Sequence, residues 1–568
     1  MVLRWKPSAA NRSAATSRMR CRLTEPLRQR PRLPAPDPPC TRPPYRPRNF
    51  PSPTEVRSTM DGNHRVLVVG GGLSGLATAT FLAHYGAPCL LIERRTTTPR
   101  TSRNERLSAR AMELLDGLGL REAVSETGFH PDALGDMLRT DTLAGEELGR
   151  TSQPWVPVPP EISPFQPVCC NHTWLRDLLR QRAVECGVEI WLGAELTRLW
   201  QDTEGIVATV RRAGELIEAR AAYVVGADGP HSTVRGRAGI ETEGPGTIAH
   251  QYGVRFRADL SGAIRGRHFA GAHLDRVGGI LLAETEPDMW SLIRPVAPGH
   301  GPDLAELIRT AAGLPELEVT VEDTFTLPIT LLNADRYTQD NVALIGDAAC
   351  SMPPTPGMHA STVLPDAQNL AWKLALILAG AAGPALLGTY DTERRPLGQI
   401  ALTDAIARVG MISPAEDLPD RITQEFGAVY RSTAVMPAEE APGDFAHPLV
   451  SAGLPGTRAP HLETRAGSIL DLFGRTFVCL TDSDSQRWAS AAEEAAARLG
   501  VPLTAPRLDT DLPQAARSWA KAYGVTTGGA ALIRPDGVVA WRAPAMGSSP
   551  EREIEHVLRR ILSRGDQS

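Results

Sequence analysis

Three glycines and one acid carry the first chemical signal: Gly70, Gly72 and Gly75 stand at GxGxxG spacing, and Glu93 follows at the end of a second apolar run. That spacing suits a pyrophosphate. Gly70 permits a tight turn, Gly72 lets a phosphate approach the backbone, and Gly75 lets the following helix pack closely on a sheet. The helix N-terminus adds N–H donors and the positive end of a dipole. Glu93 is placed to accept hydrogen bonds from an adenosine ribose. The elements that must hold these residues are a strand over Arg65–Val69, a helix over Leu76–Tyr85 and a strand over Pro88–Ile92, a βαβ unit that binds a dinucleotide without saying which. Two further acids follow apolar strands: Asp228, with Gly229, in GADGPHSTVRG after Tyr223–Gly226, and Asp347 in IGDAA after Asn341–Ile345. Taken singly, each reads as well as a helix cap or turn residue. Arg100, Arg103, Arg106 and Arg110 form either a solvated face or a set that reaches a phosphate or the ring edge of a bound cofactor.

The chain of 568 residues has room for three or four domains. Its net charge of −5 gives no reason to expect nucleic acid or an acidic membrane as partner. The longest apolar stretch, Leu370–Leu387, contains Lys373, Gly380, Gly383 and Pro384, and reads as core helix plus turn rather than a membrane span. Eight cysteines without a CxxC suit free thiols in a cytoplasmic protein, with Cys169 and Cys170 buried as packing.

Residues 1–59, dense in Arg and Pro, cannot bury enough apolar surface to order themselves and are expected to be a disordered extension. The predicted domain plan continues with a discontinuous nucleotide-binding domain over 60–408, carrying an inserted antiparallel layer at about 251–325 that faces the substrate. Helices are expected over Ser108–Leu118, His172–Cys186, Asp366–Leu378 and Pro384–Arg408. A linker over 409–450 then leads to a compact α/β unit over 451–568, with a hairpin turn at Pro535–Gly537.

GGGLSG with Glu93, GADGPHSTVRG, IGDAA, DAQNLAWKLA and YDTERRP occur in the order and spacing of the class A flavoprotein monooxygenases, the FAD-dependent aromatic and polyketide hydroxylases. The chain resembles that family over Met60–Arg408. GTRAPHLE, ILDLFGRTFVCL and GGAALIRPDGVVAWR resemble the thioredoxin-like C-terminal domain of its phenol and polyketide branch. The resemblance implies an α/β fold with a Rossmann-like FAD-binding domain, a substrate layer and a thioredoxin-like domain for packing or homodimerisation. It also implies FAD as resident cofactor, with Glu93 on the adenosine ribose, Asp347 on the ribityl chain, and Asp228, Gly229 and Arg235 building the nucleotide site. NADPH or NADH would be the electron donor, and a bulky aromatic or polyketide-type metabolite the small-molecule substrate. Catalysis would rest with the cofactor, so no catalytic triad is expected.

One loop departs from the family pattern. After GDAA this chain has Cys350 and then PPTPGMHASTVLPDAQNLAW, with Pro356, His359, Ser361 and Val363 where Gly, Gly, Asn and Gly are usual, while Gly357 matches. Pro356 offers no N–H, and Val363 is ill suited to positive φ. Pro365 is expected in the first turn of the next helix, with Ser361 or Thr362 as cap. Pro356, Gly357 and His359 are therefore the residues nearest to any altered chemistry. Cys350 and His359 read as neutral pocket-lining substitutions rather than a Cys–His nucleophile. Two functions follow: an FAD-dependent monooxygenase, or an FAD-bound non-redox cyclase of the [4+2] cycloaddition type whose flavin loop has been rewritten.

Overall fold

A computed structural model describes residues 66–565 apart from 98–103, 152–155, 204, 285, 287, 296–302, 356, 410, 412–417, 438–442, 452 and 466. The 1–59 extension, Arg100, Arg103 and Pro356 lie outside the described residues.

The valine-rich strand β1 (Val66–Val69) is wholly buried and pairs in parallel with β2 (Cys89–Glu93) on one side and with Tyr223–Gly226 on the other. Between β1 and β2 runs α1 (Leu73–His84), buried along its first ten residues. Its threonines are tolerated because Thr78 and Thr80 return their hydroxyls to the carbonyls of Ser74 and Leu76. Strands Val342–Leu344 and Glu189–Leu192 extend the parallel sheet, and only the edge pair Thr338–Gln339 runs antiparallel. The sheet is therefore buried on both faces, as continuous apolar runs require.

The inserted layer is larger than expected. Its long strands span Thr242–Arg257 and Thr320–Ala334, and the eight-stranded sheet also takes Met137–Thr140, Glu147–Thr151 and Cys350–Ser351. Gly244, Pro245 and Gly246 hid the first long strand in the sequence, because register shifts at Glu243/Gly246 and Thr247/Ala249 break its alternation. A short two-stranded pair joins β3 (Asn104–Leu107) to Val168–Asn171 and leads into α2 (Ala109–Gly117), capped by the Ser108 hydroxyl.

The helix expected from Asp366 begins seven residues earlier, at His359, and runs to Leu378. Pro365 lies inside it rather than in its first turn, and neither Ser361 nor Thr362 caps it. The N-cap position is Met358, the Thr362 hydroxyl turns back to the Met358 carbonyl, and the Ser361 hydroxyl has no hydrogen-bond partner. Inside the helix Val363 is 2 % exposed and needs no positive φ, so the strain foreseen there does not arise.

In the C-terminal unit, Phe477–Leu480 pairs in parallel with Leu503–Thr504 and antiparallel with Ala530–Ile533, which pairs with Val539–Ala543. Helices Gln486–Leu499, Pro513–Tyr523 and Pro550–Ile561 complete a thioredoxin-like βαβαββα order. Trp372 and Leu376 of the His359–Leu378 helix belong to the same core as Phe477, Trp541 and Leu558, so this unit is packed into the nucleotide-binding domain. The 409–450 stretch is stitched in as well. It carries the helix Arg421–Phe426, Tyr430 N–H donates to Gly456 O, and Met436 N–H donates to Ala540 O, both at 2.8 Å.

Candidate active site

Three separated motifs meet at the carboxyl ends of the central parallel strands. Gly70 has φ +111°, and a Cβ there would strike the Ala227 carbonyl just before Asp228; a Cβ on Gly75 would strike the Gly70 carbonyl. Gly346, before Asp347, is equally tight against Ser74 in the first turn of α1. Arg235 completes the junction by donating to the Ala348 carbonyl at 2.9 Å and to the Pro230 carbonyl at 2.7 Å. Asp347 sits half-buried in the short turn Gly346–Ala348, beside the start of α1.

These contacts leave the start of α1 open. Nothing lies within 4 Å of where a Cβ of Gly72 would be, and α1 has no side-chain cap there. Glu93 accepts from the backbone N–H of Gly71 at 2.7 Å and of Arg95 at 2.8 Å, which fixes the carboxylate and leaves lone pairs for ribose hydroxyls. A recess of about 60 Å³ adjoins it, lined by Gly71, Gly72, Arg95 and Arg176, and the Arg176 Nε is buried there without a partner. The His359 Nδ1 and the Asn104 Oδ1 are likewise buried without partners. Open backbone at the start of α1, a fixed Glu93 carboxylate and buried polar atoms without partners fit a polar, phosphate-bearing group such as FAD.

Asp228 has a different local role. It accepts from the N–H groups of Thr233 at 2.7 Å and Val234 at 3.1 Å, and so caps the helix Thr233–Arg237 and shapes the loop from within. Gly229, at φ +84°, has open space around it. Gly357, at φ +82°, rests on the Arg106 side chain with its would-be Cβ 3.4 Å away. Arg110 does not reach the glycine loop. Its guanidinium is held by Glu113 one turn on, at 2.7 Å, and donates to the Asp536 carbonyl at 3.1 Å.

Cys350 is buried against the Gly398 carbonyl, and burial, with Asp366 and Asp347 nearby, pushes its thiol up to about 12. It is packing, not a nucleophile. His359 lies at the start of its helix with Nδ1 unbonded, so no hydrogen bond at that nitrogen orients it as a base.

The C-terminal unit joins residues that lie inside the quoted motifs but to which the sequence alone assigns no role. Arg534, 0 % exposed, forks onto Glu393 at 2.6 and 2.9 Å and holds Asp536 through Nε at 3.0 Å. Lys373 completes the cluster on Glu393 at 2.8 Å, and Asn369 bridges Glu393 and Asp536. Burial works against the Glu393 charge, yet Arg534 and Lys373 hold it well below the usual carboxylate range. Burial pushes Lys373 down to about 8 against the pull of Glu393. Arg458 pairs with Glu113 alongside. Above this network lies a cavity of about 200 Å³, reaching from Arg106 and Gly357 past Ser361 and Ile400 to Glu425 and Asp536. Glu425 was missed because nothing within a few residues of it marks a site, and Arg458 and Asp536 because their motifs point to the thioredoxin-like domain and not to a cavity wall. Only the turn at Pro535–Gly537 had a signal.

Residues 63–405 match the family model for the FAD binding domain, and 452–565 match that for the C-terminal region of aromatic-ring hydroxylases. The chain is 36 % identical over 536 residues to 4-methyl-5-nitrocatechol 5-monooxygenase of a Burkholderia species, covering 88 % of this chain and 97 % of that one. It is 35 % identical over 552 residues to tetracenomycin A2 monooxygenase-dioxygenase of Streptomyces glaucescens, covering 88 % and 97 %. The structure of aklavinone-11 hydroxylase with FAD and aklavinone superposes with a TM-score of 0.80 at 32 % identity, covering 89 % of this chain and 100 % of that one. The chain belongs to the FAD-dependent aromatic-ring hydroxylases, a family of flavoprotein monooxygenases.

Proposed function

We infer that this enzyme uses NADPH or NADH and dioxygen to hydroxylate an electron-rich aromatic or polyketide-type metabolite. The observation that carries the reading is the junction of the Gly70, Asp228 and Asp347 motifs, which leaves an uncapped helix N-terminus with a fixed Glu93 carboxylate beside it. FAD, when bound, supplies electron transfer from the nicotinamide and the activation of oxygen.

The residues of the chain bind and orient. The N–H groups at the start of α1 receive the pyrophosphate, Glu93 the adenosine ribose and Asp347 the ribityl chain, while Gly229 leaves the backbone open beside them. Gly357 and His359 would border the flavin ring, and Arg106, against which Gly357 rests, would supply positive charge to the reduced cofactor. The C-terminal unit supplies Arg458, Asp536 and Val538 to the wall of the adjoining cavity. The free thiols at all six described cysteines support a reducing, cytoplasmic setting.

Anaerobic mixing of the FAD-loaded enzyme with NADPH and NADH, with aromatic substrates present, tests the reading. Bleaching of the flavin by one of them is expected. A flavin that stays oxidised with both while substrate is still consumed refutes hydroxylation in favour of a non-redox conversion.

A further inference from the structure

The cavity beside Gly357 is charged in one sense and apolar in another. Phe426, Tyr430 and Phe445 supply ring surfaces, and Leu397, Ile400 and Val538 supply aliphatic ones. Five arginines face the same space: Arg106, Arg110, Arg394, Arg421 and Arg458. Their internal partners do not neutralise them all. Arg394 is matched by Asp366, but Arg110 and Arg458 share the single carboxylate of Glu113. Arg421 reaches Asp404 only at 3.9 Å, and Asp404 is already taken by Arg408. Arg106 has no ion-pair partner among the described residues, and its Nε is buried without a hydrogen bond. Two acids line the cavity in return. Asp536 is held by Arg534, and burial pushes Glu425 up to about 7, so at neutral pH it carries only part of a charge. Ser361 adds a second buried polar atom without a partner.

We propose that this cavity binds an aromatic carboxylate, its ring between Phe426, Phe445 and Ile400 and its acid on the unmatched arginines. A volume of about 200 Å³ sets the size. An apolar cavity of about 150 Å³ holds a benzene, so one substituted ring fills this one. An arginine fork is the group that best matches a planar carboxylate. Because Gly357 and Arg106 form one end, a ring seated here abuts the loop that carries Gly357. The assignment deepens the hydroxylase reading, on which it rests for the ligand being the substrate. It also gives the C-terminal unit a wall of the binding site, through Arg458, Asp536 and Val538.

Calorimetric titration of the FAD-loaded full chain with benzoate and with benzamide, equal in size and different in charge, tests this. Without nicotinamide present, the readout is independent of turnover. Benzoate is expected to bind at least about tenfold more tightly than benzamide. Arg421→Glu, at a half-exposed side chain that no core contact depends on, is expected to remove that preference, and Ile400→Trp to abolish binding of both by filling the cavity. Equal affinity for the two compounds, binding of neither, or a benzoate preference that survives both variants overturns the proposal. Failure of nicotinamide to reduce the flavin would sink the hydroxylase reading and leave these titrations unaffected.

Discussion

Replacing Arg534 by Met isolates what the buried cluster contributes. The side chain is 0 % exposed, donates to Glu393 and Asp536, and lies 5.0 Å from the Trp372 ring centroid. Met keeps most of the volume and the contact with Trp372 while removing the charge. Two carboxylates would then face one ammonium, Lys373, in a buried site, and Asp536 would keep only the Asn369 amide at 3.2 Å. Removing one partner of a buried ion pair costs about 3–5 kcal/mol, because the charge left behind is neither solvated nor paired. A surface pair is the control. Arg498 meets Glu555 at 2.8 Å but is half-exposed, so Arg498→Met is expected to cost less than about 1 kcal/mol. Asp536→Asn combined with Arg534→Met is expected to recover at least about 1 kcal/mol relative to the sum of the single changes, since it removes the orphaned charge. Urea unfolding of the FAD-loaded protein, followed by tryptophan fluorescence, measures all of these. A loss at Arg534→Met no larger than at Arg498→Met, or strict additivity in the double variant, would refute the view that this cluster locks the C-terminal unit to the helix His359–Leu378.

Gly75→Val places side-chain atoms on the Gly70 carbonyl and is expected to yield protein without bound flavin, read from its visible absorbance after purification. Under mild alkylation of the folded protein, Cys186, which is exposed, is expected to label while Cys350 stays unmodified; mass spectrometry distinguishes them, and early labelling of Cys350 would contradict its role as packing. Because the folded Glu425 carboxyl titrates near 7 rather than in the ordinary range near 4.5, the folded chain holds this proton more tightly than the unfolded one. Its contribution to stability is complete below the ordinary range and is lost as pH rises through about 7, and Glu425→Gln is expected to flatten the stability profile across that window.

What was legible in the sequence was local. The βαβ unit, its glycines and the acid at the end of β2 depend on residues within one turn or strand, and each landed within a few residues of its expected place. The Asp228 and Asp347 motifs were legible as strand ends, but only the structure shows how Arg235 ties them together or that Asp228 spends its carboxylate on a cap. The start of the His359–Leu378 helix was misplaced because Pro365 reads as a first-turn residue, whereas packing of Ala360, Val363 and Leu364 into the core carries the helix upstream through it. The partners of Arg110 were only partly legible, since Glu113 is three positions away but Asp536 several hundred. The cavity was invisible because its walls come from β3, four helices, the 428–445 stretch and the C-terminal hairpin.

Product formation under isotopically labelled dioxygen tests the central claim most directly. A monooxygenase account predicts that product appears only with nicotinamide present and carries a single oxygen atom from the gas. Product formed under argon, or containing no labelled oxygen while the flavin remains oxidised, would contradict it.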